Sequence, residues 1–187
     1  MNKPIEEREL ILAILLEVTR DKVPGHLALS RVLSKYQYLD KRERAFITRV
    51  TEGTLEHMIE IDYIIDQFSK TKTAKMKPVI RIILRSAVYQ LKYMDQVPAS
   101  AVCNEAVRLA KKRGFQNLSG FVNGVLRTIA RQMDQVKLPE HPLFQTSFCA
   151  VFHSGMDGGN VAFELSGRDG GEDAFLYDGR ASDLYPV

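Results

Sequence analysis

A long apolar pattern that begins at Pro78 constrains the fold more than any other feature of the sequence. The fixed φ of proline suits the first turn of a helix. Apolar residues then recur at helical spacing: Ile80, Ile83, Leu84, Ala87, Leu91 and Met94. Val79, Ile82 and Val88 widen this stripe to most of the circumference. Because a helix that is apolar nearly all round must be covered by neighbours, the pattern predicts a central helix inside a bundle.

Two further helices follow this segment. After a turn at 95–98, one face of the next helix carries Val102, Cys103, Ala106, Leu109 and Ala110. Gly114 is typical of the residue just beyond a helix C-terminus. Asn117 or Ser119 is a candidate N-cap for the last helix, whose inward face holds Phe121, Val122, Val125, Leu126 and Ile129.

The first 77 residues show the same helical period. A helix is predicted over 4–20, and a second one follows the turn at 23–25 with Leu27, Leu29, Val32 and Leu33 facing inward. Asp40 and Glu43 have the spacing of a capping box at the start of a third helix. Gly53 lies inside that pattern and indicates a close helix–helix approach or a kink. A basic connection over 69–77 leads to the central helix. The chain is predicted to be all-α, with about seven helices.

Charge divides the chain into two parts. Residues 1–137 contain 24 Lys and Arg against 15 Asp and Glu, whereas residues 138–187 contain 2 against 8. Seven of the 12 glycines fall in this shorter second part, which has neither a helical nor a strand period. We therefore expect a basic helical domain over 1–137, followed by an irregular, acidic, Gly-rich tail over 138–187 that is not a domain.

The order of these features resembles the NusB-type RNA-binding domain. The resemblance rests on ILRSAVYQLKYMDQVPASAVCNEAVRLAKK, FVNGVLRTIAR and the upstream segment LDKRERAFITRVTEGTLEHMIEIDYIIDQFSK. It covers about residues 5–132 and implies a NusB-like helical bundle. Two features look like the form at the N-terminus of RsmB-type 16S rRNA cytosine-C5 methyltransferases. They are the segment from Tyr89 to Leu91, and Arg127 after FVNGVL.

This resemblance implies an RNA-positioning domain without its catalytic half. The family's catalytic domain uses S-adenosylmethionine and a cysteine nucleophile, because C5 of cytosine becomes reactive only after C6 carries an adduct. No Gly-rich turn after a strand appears in residues 1–137, so no cofactor is expected in this chain and no catalytic residue is assigned. Methyl transfer is expected from a longer enzyme, not from this chain alone. The alternative is a stand-alone NusB-like transcription antitermination factor, with a ribosomal protein as partner.

Basic side chains supply candidate contacts to RNA, with 16S rRNA as the expected partner. Lys and Arg that neutralise phosphates give salt-sensitive affinity without sequence preference. The candidates are Lys41, Arg42, Arg44, Lys72, Lys75, Lys77, Arg81, Lys111, Lys112, Arg113, Arg127 and Arg131. Arg85 lies on the central helix and needs a carboxylate or carbonyl partner. Asn104 and Asn123 are poor helix formers, so we expect them to bond to backbone between helices.

Other sites and environments are not expected. The four histidines show no i, i+4 pair or cysteine partner, so no metal site is predicted. The i, i+4 acidic pairs Glu56–Glu60 and Asp62–Asp66 are typical of solvated surface. Two cysteines and no long uncharged apolar stretch predict a cytoplasmic protein with no membrane span.

A shifted reading frame offers one explanation of the tail. Met156 has one codon and every Asp157 codon begins with G, so a shift of one nucleotide makes tryptophan unavoidable there. Synonymous choices at the flanking codons permit a helical sequence that resembles the linker following this domain in the methyltransferases. The sequence thus predicts a frameshifted linker, or a disordered tail, from about residue 140.

Overall fold

The computed structural model describes residues 6–138 in full and, beyond them, only the backbone of 161–166 and 172–177. The described part contains seven α-helices: α1 (Glu7–Asp21), α2 (Gly25–Lys35), α3 (Lys41–Glu56), α4 (Met58–Phe68), α5 (Pro78–Tyr93), α6 (Ala99–Lys112) and α7 (Ser119–Gln132). Short 3-10 turns occupy Thr73–Lys75, Gln116–Leu118 and Met133–Gln135. The predicted all-α bundle of about seven helices is confirmed.

Helix α5 is the centre of the bundle, as its apolar pattern predicts. It starts at Pro78 and packs against α1, α3, α4, α6 and α7. Its buried side chains are Ile80, Ile82, Ile83, Leu84, Arg85, Ala87, Val88, Tyr89 and Gln90. Apart from Arg85 and Gln90, they belong to one continuous core to which all seven helices contribute.

A glycine turn ends α6. Gly114 adopts a positive φ of 82°, its N–H donates to the Lys111 carbonyl at 3.0 Å, and the Phe115 N–H donates to the Ala110 carbonyl at 2.9 Å. This pair of bonds is the Schellman arrangement, so the prediction for Gly114 is confirmed. The predicted caps of α7 are wrong: the 3-10 turn Gln116–Leu118 runs straight into the helix, and no side chain caps it.

The start of α3 follows the capping-box prediction. The Glu43 N–H donates to the Asp40 carboxylate at 2.8 Å, and the Asp40 N–H donates to the Glu43 carboxylate at 2.7 Å. On α2, by contrast, Leu27 is 44% exposed, while Ala28 and Leu29 are buried. Leu29, Val32 and Leu33 therefore face the core as predicted, while Ala28 takes the place predicted for Leu27, because alanine was not counted as a core residue.

Gly53 allows α3 to approach α5 closely. A Cβ added at Gly53 would lie 2.1 Å from Cζ of Tyr89, far inside van der Waals contact. Of the two explanations given by the sequence, close helix–helix approach is therefore confirmed.

The acidic residues of α4 are not solvated surface, contrary to the prediction. Asp62 is fully buried and Glu60 is 8% exposed. Arg85 Nε donates to Asp62 Oδ1 at 2.7 Å, and Arg85 Nη2 donates to Oδ2 at 2.5 Å. The predicted carboxylate partner of Arg85 is thus Asp62, and the sequence misjudged α4 because it gave no indication that a buried arginine faces it.

The tail contributes two short strands, β1 (Val161–Ser166) and β2 (Glu172–Tyr177), which pair antiparallel with Phe163 opposite Phe175. These strands were not predicted, because neither segment alternates apolar and polar residues along its whole length. The expected disorder or frameshift of the tail otherwise falls outside the described residues.

Candidate nucleic-acid interface

The basic connection between α4 and α5 is held to the end of α4. The Thr73 N–H donates to Asp66 Oδ1 at 2.7 Å, and Lys72 Nζ donates to the Asp66 carbonyl at 3.0 Å. Burial raises the pKa of the Asp66 carboxyl, and the Thr73 N–H partly opposes that shift. The connection therefore has a defined path, and Lys72 is turned back towards α4.

Lys77, the residue before α5, brings this connection to the end of α6. Its Nζ lies 5.5 Å from the ring centroid of Phe115, a cation–π contact. Lys75 and Lys77 are exposed, as are Lys111 and Arg113 next to the Gly114 turn. Within residues 6–138 none of these four forms an ion pair with a carboxylate. We call Lys75, Lys77, Lys111 and Arg113 the basic surface, since two clusters of the candidates, within 72–77 and within 111–113, meet here.

Some candidate residues make contacts within the fold instead. Lys112 Nζ pairs with Glu9 Oε2 at 2.7 Å, which attaches α6 to α1. Arg44 is half-buried, and its Nη1 donates to the Leu33 carbonyl at 2.9 Å. These contacts reduce what Lys112 and Arg44 can offer to a phosphate.

Two arginines of α7 lie on its exposed side. Arg127 Nε donates to Asn123 Oδ1 at 2.9 Å, and Arg131 Nε donates to the Arg127 carbonyl at 3.2 Å. Burial raises the pKa of the Cys103 thiol, and the charge of Arg127 partly opposes that shift. Arg127 therefore lies beside α6, and both arginines remain exposed to solvent.

The interhelical role predicted for the two asparagines is wrong. Asn104 is exposed on the side of α6 away from its buried face, and it makes no hydrogen bond within the described part of the chain. Asn123 bonds to the Arg127 side chain one turn along the same helix rather than to a neighbouring backbone. The buried faces of α6 and α7 are filled by apolar residues, so the helices need no amide between them.

The remaining candidates do not all join this site. Lys41 and Arg42 are exposed at the start of α3, and no described contact links them to the basic surface. Arg81 is half-buried in the first turns of α5.

Sequence reasoning missed a polar cluster between α4 and the end of α5. The Tyr93 hydroxyl donates to Glu60 Oε2 at 2.8 Å and lies 3.2 Å from His57 Nδ1, and Lys92 also pairs with Glu60. The rings of His57 and Tyr93 stack with centroids 4.3 Å apart. Burial raises the pKa of Tyr93 to about 12. The i, i+4 spacing of Tyr89 and Tyr93 was the available signal.

The residues described do not fit an S-adenosylmethionine site. The glycines between residues 6 and 138 lie in helices or in turns between helices, and no strand precedes any of them. Over the described residues, no group of three His, Cys, Asp or Glu side chains is placed to hold a metal ion. None of the described helices is long and apolar enough to cross a membrane.

A comparison with known protein families shows to which family the domain belongs. The family model described as "NusB family" matches residues 5–131. The chain belongs to the NusB family. The boundaries of this match agree with the helical domain from α1 to α7, and its fold is the NusB-like bundle.

Curated relatives of this NusB-family chain are of two kinds. It is 35% identical over 130 residues to a probable ribosomal RNA small subunit methyltransferase B of Bacillus subtilis, a match that covers 70% of the chain and 29% of the relative. It is 33% identical over 128 residues to the transcription antitermination protein NusB of Lysinibacillus sphaericus, covering 68% of the chain and 96% of the relative. The chain thus spans less than a third of the length of its methyltransferase relative.

Solved structures share the NusB fold. NusB of T. maritima superposes with a TM-score of 0.60 at 27% identity, covering 71% of this chain and 94% of that one. The crystal structure of antitermination factors NusB and NusE in complex with dsRNA gives a TM-score of 0.62 at 22% identity, covering 67% of this chain and 93% of that one.

Proposed function

We propose that the NusB-family domain of this chain binds structured RNA, and that it is the RNA-positioning part of an RsmB-like 16S rRNA cytosine-C5 methyltransferase acting in the cytoplasm. The observation that carries RNA binding is the basic surface. Lys77 over Phe115 joins two segments that are far apart in sequence, and these segments carry four exposed cations. Such a surface neutralises backbone phosphates and needs no base-specific contact.

Three further observations support this proposal. The net charge of residues 1–137 is +9, so the domain as a whole attracts a polyanion. Relatives of the methyltransferase kind reach 35% and 37% identity over most of the domain. Arg127, exposed beside α6, adds positive charge after the FVNGVL motif.

The salt dependence of binding tests the role of the basic surface. If about five phosphates are contacted, log K should fall against log salt with a slope of about −3.5 to −4.5. The variant Lys111→Glu/Arg113→Glu should weaken binding to a 16S rRNA fragment and make that slope shallower by about 2. Fluorescence anisotropy at several salt concentrations measures both quantities.

A matched control distinguishes the effect of the basic surface on RNA affinity from the effect of net charge. The variant Lys22→Glu/Lys137→Glu makes the same change in net charge at exposed positions outside the basic surface. It should keep most of the affinity. Equal losses in the two variants would show that net charge, not the basic surface, drives binding, and no detectable binding at low salt would reject RNA binding itself.

The alternative function is that of a stand-alone antitermination factor. It is favoured by the NusB relative of Lysinibacillus sphaericus, which the match covers almost completely. Under this alternative the chain should form a stable complex with NusE, visible by size-exclusion chromatography. Under the methyltransferase proposal it should not, and S-adenosylmethionine would be bound only by a longer product of the same gene.

The nucleotide sequence beyond codon 137 distinguishes the two functions most directly. A methyltransferase gene should continue, in the frame shifted by one nucleotide, through a helical linker that contains tryptophan at Met156–Asp157. Early stop codons in that frame would reject the frameshift.

A further inference from the structure

The connection between α2 and α3 presents an exposed aromatic ring. Tyr38 is 60% exposed, whereas the next residue, Leu39, is 5% exposed and part of the core. A buried leucine thus anchors the turn while the tyrosine before it is directed into solvent. Among the described large apolar residues, Tyr38 is exposed to a greater extent than Leu27.

The ring of Tyr38 is supported from within the same turn. It meets the Tyr36 ring at an edge-to-face angle of 84°, with centroids 5.9 Å apart. Lys35 Nζ in turn lies 5.4 Å from the centroid of Tyr36. Edge-to-face packing favours this ring orientation, so the contact with Tyr36 presents the Tyr38 ring to solvent.

Two cations follow this ring closely in the sequence. Lys41 and Arg42 are exposed in the first turn of α3, and neither forms an ion pair within the described part of the chain. Two carboxylates, Asp40 and Glu43, lie in the same turn, and each accepts a backbone N–H of the capping box. Both carboxylates keep their negative charge, so this turn carries two charges of each sign, and Lys41 and Arg42 are the two that a phosphate can contact.

We propose that Tyr38, Lys41 and Arg42 form a site for an unpaired nucleotide, with its base stacked on the Tyr38 ring and neighbouring phosphates on the two cations. This inference rests on the proposed RNA binding and assigns to it a single-stranded segment. An aromatic platform beside cations is the combination that binds single strands without sequence preference. A paired base has its faces covered by its neighbours, so a duplex cannot use this ring.

Tryptophan fluorescence can report on this site, because the chain has no native tryptophan. The variant Tyr38→Trp places one indole in the turn. Titration with an oligouridylate of about ten nucleotides should quench its emission, since a stacked base quenches indole. The matched control is Leu27→Trp, at the other end of α2, which is also exposed and should show little quenching.

Affinity gives a second, independent measurement. Stacking on one aromatic ring corresponds to roughly a tenfold change in affinity. Tyr38→Ala should weaken oligouridylate binding about tenfold, while Tyr38→Phe, which keeps the ring, should bind like the unaltered chain. Binding of a fully paired RNA duplex should be the same for all three proteins.

The outcomes separate this inference from the proposed function. Quenching at Tyr38→Trp with a selective loss in Tyr38→Ala supports the nucleotide site. If the duplex and the oligouridylate bind but Tyr38→Ala has no effect, the nucleotide site is wrong while RNA binding by the basic surface stands. If neither RNA binds, both proposals fail, and the exposed ring would then be a candidate contact for a protein partner.

Discussion

The guanidinium of Arg85 and the carboxylate of Asp62 are joined by two hydrogen bonds, 2.7 and 2.5 Å long, inside the bundle. The side chains are 4% and 0% exposed, so α5 and α4 share a fully desolvated ion pair. Because α5 is apolar on nearly every side, hydrophobic burial alone tolerates several rotations of this helix about its axis. The ion pair selects one of them.

Removing one partner of this pair should be strongly destabilising. Asp62→Ala leaves the Arg85 charge buried without its carboxylate, so the free energy of unfolding should fall by about 3–5 kcal/mol. Urea denaturation measures this change. The double variant Asp62→Leu/Arg85→Met removes both charges and should recover most of the loss; a single variant within about 1 kcal/mol of the unaltered domain would contradict the assignment.

Adding a methyl group at Gly53 should force α3 and α5 apart. Gly53→Ala places a Cβ against the Tyr89 ring, and such overpacking costs about 1–3 kcal/mol. Gly124→Ala in α7 is the control, because nothing lies within 4 Å of its added Cβ. That variant should be stabilised by about 0.5–1 kcal/mol through helix propensity. Thermal denaturation of both proteins should show melting temperatures that change in opposite directions.

The capping box of α3 should contribute measurably to stability. Asp40→Ala removes the acceptor of the Glu43 N–H and should lower the free energy of unfolding by about 0.5–2 kcal/mol. Asp40→Ser keeps an acceptor oxygen at the same place and should lose much less. Equal losses in the two variants would indicate that the charge of Asp40, rather than its hydrogen bond, stabilises the helix.

The stability of the bundle should depend on pH through His57. Burial lowers the pKa of His57 below its ordinary value of 6.5, the nearby Lys92 lowers it further, and Glu56 opposes the shift. Glu60, 3.6 Å from the ring, would favour the charged imidazole, but its carboxylate already bonds Lys92 and Tyr93. The folded state therefore holds His57 neutral where the unfolded state binds a proton.

It follows that His57 stabilises the fold above pH 6.5, and that this contribution falls as pH drops from 6.5 towards the folded-state pKa. Urea midpoints measured from about pH 7.5 to about pH 5 should decline more steeply for the unaltered domain than for His57→Gln. Parallel curves for the two proteins would show that His57 does not titrate in this way.

Most of the fold was predictable because the spacing of the apolar residues and the residues that start or end helices indicate the same elements. Pro78 marks the start of α5, Asp40 with Glu43 marks the start of α3, and Gly114 marks the end of α6. The errors occur where the sequence carries no local signal. Glu60 and Asp62 each belong to an i, i+4 acidic pair, a spacing typical of surface residues. Only the three-dimensional arrangement shows that Arg85 faces Asp62 and that Tyr93 faces Glu60.

The candidate site was less predictable than the fold. Composition identified the basic residues, but it did not distinguish Lys112, which pairs with Glu9, from its neighbour Lys111, which is free of carboxylates within residues 6–138. That distinction depends on which side of α6 faces α1. The contact between Lys77 and Phe115, which unites two clusters, joins residues that are remote in sequence and could not be inferred from spacing.

The left-handed turn at Gly114 makes this meeting of segments sensitive to loop length. Only six residues, 113–118, connect α6 to α7, and Phe115 reaches Lys77 because the chain reverses at Gly114 without an intervening residue. One residue inserted before Phe115 would move the ring off the lysine and divide the cations into two weaker groups, with no change in net charge. Among homologous chains of equal charge, the length of this connection should therefore sort strong RNA binders from weak ones.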